Sequence, residues 1–153
     1  RAARQARDEL AEHFGVGVDL WSATSYKALR EDAMSVERWN RLHPTAVDRR
    51  VPFVTGQLAA VTGPVVAITD FMRAVPDQVA RWLPRPYRSL GTDGFGRSDT
   101  REELRSFFEV NAGHLVVALL AGLADAGTID RETVRDALDR YDLDADRADP
   151  WER

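Results

Sequence analysis

The sequence predicts an α/β domain with a small, mostly parallel sheet and helices on both faces. Three observations carry this expectation. Short β-branched runs bounded by glycine and proline alternate with segments of helical apolar periodicity. The run VVAIT at 65–69 is apolar throughout, as a strand covered on both faces must be. From residue 99 onward the pattern is helical only. A length of 153 residues suits one domain, and 44% hydrophobic with 30% charged residues is ordinary for a globular protein.

Residues 1–14 carry Ala3, Ala6, Leu10 and Phe14 at helical spacing. Their start is unusual. No Ser, Thr, Asp or Asn precedes the periodic run, and Arg1, Arg4 and Arg7 sit at the positive end of the helix dipole. Gly15 and Gly17 break the helix, and VDLWSAT at 18–24 reads as a strand. Ser25 is placed to cap a helix over 26–42 whose inner stripe is Leu29, Ala33, Val36 and Trp39, with Pro44 beyond its end. A polar loop, 45–50, leads to a short helix over 51–61, with Pro52 near its first position and Val54, Leu58 and Val61 on one face.

Thr62-Gly63-Pro64 stops that helix and the strand 65–69 follows. A helix is expected after Pro76, carrying Val79, Trp82 and Leu83 and ended by Pro84 and Pro86. Residues 87–90 form a short strand, and the glycine-rich stretch LGTDGFGRSDTREEL (90–104) leaves it. Asp99 with Glu102, or Thr100 with Glu103, spells a capping box for a helix through Phe108. Asn111 is the expected cap of a central helix over 112–126, apolar nearly all round and ended by Gly127. Asp130 should cap the last helix, 131–141, with Val134, Leu138 and Tyr141 inward. We expect one domain over 1–141 and a polar, mobile tail over 142–153. Three strands are few for such a fold, and a further strand ahead of residue 1 would explain the uncapped first helix. The first residue is Arg1 rather than Met, so the start of the gene product is expected to lie further upstream.

A net charge of −4 argues against nucleic-acid binding, which a basic surface normally serves. With no cysteine, disulfides and thiolate chemistry are excluded. The longest apolar run, LVVALLAGLA at 115–124, is shorter than the roughly 20 residues of a membrane span. The histidines His13, His43 and His114 lie far apart, and no HExxH or GxSxG occurs. His43, in ERWNRLHP at a helix end, is the least ordinary of them. Gly91, Gly94 and Gly96 are spaced G-x-x-G-x-G, which is neither the dinucleotide fingerprint nor a phosphate P-loop. Two readings stand for this loop. Gly94 or Gly96 serves a tight turn with positive φ, or the loop binds a small anion beyond the carboxyl end of a strand. Asp93, Gly94 and Arg97 are the candidates for the second, and Arg97 between Asp93 and Asp99 suggests an internal ion pair rather than a metal site. No residue is assigned a catalytic, cofactor-binding or metal-ligating role.

The stretches SATSYKALREDA, ERWNRLHP, RVPFVTGQL, VVAITDFMRAVPDQV, LGTDGFGRSDTREELRSFFEV and DLDADRADP together resemble the C-terminal domain of the homodimeric bacterial type of pyruvate dehydrogenase first component. The resemblance covers nearly the whole chain, and GTDGFGRSDTRE is its most specific phrase. It implies a transketolase C-terminal-like, three-layer α/β unit with a mixed, mostly parallel sheet whose first strand precedes the first helix and is missing here. It implies a cytoplasmic enzyme that decarboxylates pyruvate with thiamine diphosphate and Mg2+ and acetylates the lipoyl group of an acetyltransferase. Its partners would be the remaining domains, the homodimer mate and that acetyltransferase. The GDG cofactor motif with its paired asparagines does not occur in this sequence: Thr92-Asp93-Gly94 is superficially similar, but no Asn-Asn follows. The resemblance therefore implies a scaffold and dimer-supporting segment with no cofactor bound to it alone.

Overall fold

The computed structural model describes residues 1–152. Helix α1 (Ala2–Phe14) starts without a side-chain cap or an acidic first turn, and ends at Gly15, whose φ of 64° is the left-handed stop that glycine allows. Helix α2 (Tyr26–Leu42) is capped as expected: Ser25 Oγ accepts the Ala28 amide at 3.1 Å. On its inner stripe only Ala33 is fully buried, while Leu29, Val36 and Trp39 are half-buried. Between these helices the expected strand 18–24 does not form. Leu20 is 41% and Trp21 60% exposed, and no neighbouring strand bonds this stretch among the described residues. Strand composition without a partner ladder leaves only extended chain.

Helix α3 (Phe53–Gln57) is shorter than the 51–61 expected. Pro52 takes the cap position and Asp32 Oδ2 accepts the Phe53 amide at 2.7 Å, which fixes the start. Gly56 weakens propagation, and the chain turns at Leu58. Strand β1 (Val65–Ile68) pairs in parallel with β2 (Tyr87–Leu90), Val65 opposite Tyr87 and Ile68 opposite Leu90. Every β1 residue is half-buried rather than fully covered, because the sheet has two strands among the described residues. The helix expected after Pro76 begins before it. Helix α4 (Ala74–Asp77) holds Pro76 in its first turn, where a missing amide costs nothing. A single 3-10 turn at Ala80–Trp82 follows, and Pro84 and Pro86 leave no room for more.

Helix α5 (Arg101–Phe107) resolves the capping alternatives in favour of Thr100, whose Oγ1 accepts the Glu103 amide at 3.2 Å. Asn111 caps α6 (Ala112–Asp125), accepting the His114 amide at 3.0 Å. Asp130 stands at the cap position of α7 (Arg131–Arg140) but accepts no hydrogen bond with its side chain. By composition, residues 101–125 hold a window apolar enough to cross a membrane, yet they form two helices, and 50% of that window is buried inside the fold.

Helix α6 is the centre of the molecule. Its Leu115, Val116 and Leu120 are buried against Ala6 and Leu10 of α1 and Ala137 of α7, with Val66 and Ile68 of β1 packed on the same cluster. Two glycines let neighbours approach this helix. A methyl on Gly122 would meet Pro64 at 2.8 Å, and one on Gly113 would meet the Tyr141 side chain at 3.0 Å. Tyr141 then donates its hydroxyl to Glu9 Oε2 at 2.9 Å, joining the end of α7 to α1. The tail is not wholly loose as expected: Pro150 is buried within a 3-10 turn, Pro150–Glu152.

Candidate functional site

Parallel pairing puts the carboxyl ends of β1 and β2 side by side, so the segments that follow, 69–73 and 91–97, form one loop cluster. Thr92 locks them together: its amide donates to the Phe71 carbonyl at 3.0 Å and its hydroxyl to the Asp70 carbonyl at 2.9 Å. Gly91 is required by that proximity, since a Cβ there would lie 2.6 Å from the Phe71 oxygen.

Asp93 accepts the Arg73 backbone amide at 3.0 Å and also the Arg73 guanidinium Nε. Partial burial pushes the Asp93 carboxyl up, but the hydrogen bonds and charge of Arg73 outweigh it and hold the group below its ordinary value. The Arg73 guanidinium also lies 4.5 Å from the centre of the Trp151 ring, on the C-terminal turn. Gly94 completes this junction with φ 98° and an ideal Cβ position 2.9 Å from the Trp151 Cα. Only a residue without a side chain fits there.

Arg97 does not pair with either flanking carboxylate, contrary to the internal ion pair suggested by spacing. Its guanidinium lies 4.2 Å from the Phe107 ring centre, while Asp93 takes Arg73 and Asp99 Oδ1 accepts the Thr100 amide at 2.7 Å. Asp70 pairs with Arg105 at 2.6 Å, and Arg105 also donates to the Val110 carbonyl at 2.8 Å. Arg73 and Asp93, and Arg105 and Asp70, are thus spent on one another. Phe95, at its tip, is 89% exposed.

His43 belongs to a different cluster, at the end of α2. Its ring stacks on Trp39 with centroids 4.2 Å apart, and Arg50 lies 4.0 Å from the same Trp39 ring. Asn40 bridges the backbone of Arg50 from both sides, donating to its carbonyl at 2.8 Å and accepting its amide at 2.9 Å. The structure therefore unites Asp93 and Gly94 at one junction, sets the Arg97 guanidinium over the Phe107 ring of α5, and leaves His43 in a separate aromatic stack. No group of three or more His, Cys, Asp or Glu side chains suited to a metal occurs among the described residues. Sequence reasoning missed Arg73 and Trp151. The conspicuous glycines pointed to the loop, but nothing local marks partners that lie 20 residues upstream and beyond α7.

A two-strand parallel sheet flanked by helices, with a glycine loop leaving the second strand, fits the transketolase-like TK C-terminal domain, and the sequence family of that description matches residues 1–111. The chain belongs to this family. It is 46% identical over 151 residues to the pyruvate dehydrogenase E1 component of Escherichia coli K12, a match covering 98% of this chain and 17% of that protein. It is 43% identical over 151 residues to the protein of the same name from Pseudomonas aeruginosa, again 98% and 17% of the two lengths. The Mycolicibacterium smegmatis pyruvate dehydrogenase E1 component is 43% identical over 142 residues, 93% of this chain and 15% of the relative. The chain spans about a sixth of the length of these relatives, and it matches their C-terminal region.

Proposed function

We propose that this chain is the C-terminal domain of a cytoplasmic, thiamine diphosphate-dependent pyruvate dehydrogenase first component, in which it acts as a scaffold supporting a homodimer. The observation that carries the reading is identity of 46% extending over 98% of the chain, so that the whole fold is shared rather than one motif. The whole enzyme would decarboxylate pyruvate with thiamine diphosphate and Mg2+ and transfer the acetyl group to the lipoyl group of an acetyltransferase. Its partners would be the other domains of the same chain, the homodimer mate and that acetyltransferase.

The loop cluster does not fit the cofactor. A diphosphate with Mg2+ needs oxygen donors free to reach the metal and cations free to reach phosphate. Here Asp93 is held by Arg73, Asp70 by Arg105, and Arg97 is drawn onto Phe107. We assign the cofactor to other domains, and to this loop the task of fastening the carboxyl ends of the strands to the C-terminal turn. The test is a chimera in which this chain replaces the matching C-terminal segment of the Escherichia coli relative. It should sediment as a dimer and retain pyruvate-dependent reduction of an artificial electron acceptor. A folded dimer without that activity would refute the assignment. Titration of the isolated chain with thiamine diphosphate and Mg2+ checks the site: binding at micromolar concentration would place the cofactor here and overturn the scaffold role.

A further inference from the structure

Residues 38–53 join the end of α2 to the start of α3 and carry four arginines, Arg38, Arg41, Arg49 and Arg50, against one acid, Asp48. The chain as a whole is negative, at −4. All four arginines are exposed, and no ion pair engages any of them among the described residues. Elsewhere Arg73, Arg81, Arg88 and Arg105 each hold a carboxylate. The negative end of the α2 dipole favours a cation in its last turn, where Arg41 stands. It does not account for Arg49 and Arg50, which lie beyond the helix. Apolar side chains are exposed among these cations: Leu42, Val51 and Phe53 are each more than half exposed, and Val47 is 95% exposed. The stretch is nevertheless held in shape. Asn40 bonds both the amide and the carbonyl of Arg50, the Arg50 guanidinium and the His43 ring lie against Trp39, and Asp32 accepts the Phe53 amide. Arg49 and Val51, on either side of Arg50, are thereby brought to the last turns of α2, where Arg38 and Leu42 stand one turn apart.

We propose that the end of α2 and the 43–53 stretch form a docking face for an acidic protein segment with apolar side chains among its carboxylates. Arginines without an internal partner complement carboxylates, which a guanidinium binds through two parallel N–H donors. The apolar side chains between them shed water only against other apolar side chains, so a purely anionic partner would leave them wet. A nucleic acid would use the cations alone, and the negative charge of the rest of the chain repels it. Because Asn40 and Trp39 fix the stretch beforehand, docking orders little of this chain and loses little entropy. The face is independent of the reaction the whole protein performs.

The experiment follows the fluorescence anisotropy of a short labelled peptide of mixed glutamate and leucine as the 153-residue chain is added. One control peptide has lysine for every glutamate, and another has serine for every leucine. The first peptide should bind saturably and more weakly as salt rises, and both controls should bind far less. Reversing two cations together, Arg41→Glu with Arg49→Glu, should weaken binding by about tenfold. Val47→Ser, at an exposed position, should weaken it as well, and the thermal melts of both variants should match the parent's. Binding that either variant leaves unchanged would overturn the proposal. Equal binding of the serine peptide or of a duplex DNA would make the face a general attractor of anions and overturn it too. Tighter binding to vesicles of phosphatidylcholine with phosphatidylserine than to the peptide would assign the face to a membrane instead. The chimera with the Escherichia coli relative should bind the peptide as the isolated chain does; loss of binding there would mean that another part of the enzyme covers the face, and would end its docking role.

Discussion

Replacing Gly94 by alanine tests the junction between the loop and the C-terminal turn. At φ 98° an L-residue is strained by about 1–2 kcal/mol. The new Cβ would stand 2.9 Å from the Trp151 Cα and 3.2 Å from the Pro150 carbonyl oxygen, both backbone atoms that cannot rotate aside. The least costly relief is to release the turn, which forfeits the Arg73–Trp151 contact, worth about 0.5–1 kcal/mol. Together these predict a loss of about 1.5–3 kcal/mol for Gly94→Ala. The assay is urea denaturation of four proteins: the parent, the variant, the parent shortened after Leu143, and the variant shortened likewise. In the shortened background the substitution should cost only its strain, so about 1 kcal/mol of coupling should separate the two measurements. Amide exchange at Glu152, which bonds the Asp149 carbonyl at 2.9 Å, should rise in the full-length variant. Equal costs in both backgrounds, or a turn still protected in the variant, would refute the reasoning.

Three further outcomes follow from the same geometry. Leu120→Ala empties a fully buried position of α6 and should cost about 2–5 kcal/mol in chemical denaturation. Tyr141→Phe removes the bond to Glu9 and should cost about 0.5–1.5 kcal/mol. Burial first, then Glu9, raise the Tyr141 hydroxyl from 10.0 to about 12, so its contribution is complete below pH 10.0 and fades as pH climbs through about 12; the phenylalanine variant should lose that alkaline limb. Asp93 has the opposite sign. Arg73 holds its carboxyl low, so its contribution is present above the ordinary aspartate value and is lost as pH falls through the lowered one. Melting curves of Asp93→Asn should be less acid-sensitive than the parent's, with greater proteolytic access near Arg73.

What the sequence made legible was local. Ser25 and Asn111, and Thr100 as one of two alternatives with Asp99, were recognisable as caps because each acts on an amide three residues away. The two paired strands stood out because glycine and proline bound them. Errors arose where an element depends on distant chain. The 18–24 stretch has strand composition, but a strand exists only with a neighbour. In the 74–82 region the effect of Pro76 depends on which residue starts the turn: α4 begins ahead of it at Ala74 rather than after it. At the loop, Gly94 or Gly96 was read as serving a turn with positive φ, and it is Gly94, at 98°, that takes it. The reason for that conformation, a tryptophan arriving from the last residues of the chain, has no local signature.

The Trp151 contact also bears on the order of events during synthesis. The loop after β2 is complete only when the last residues of the chain reach it, and α1 finds its partners in α6 and, through Glu9, in Tyr141. A growing chain must therefore carry the apolar stripe of Ala6 and Leu10 unburied until most of the domain has emerged from the ribosome. Such long closures slow folding and expose the nascent chain to aggregation. Chains that end before Trp151 would leave Gly94 unclasped and be open to proteases.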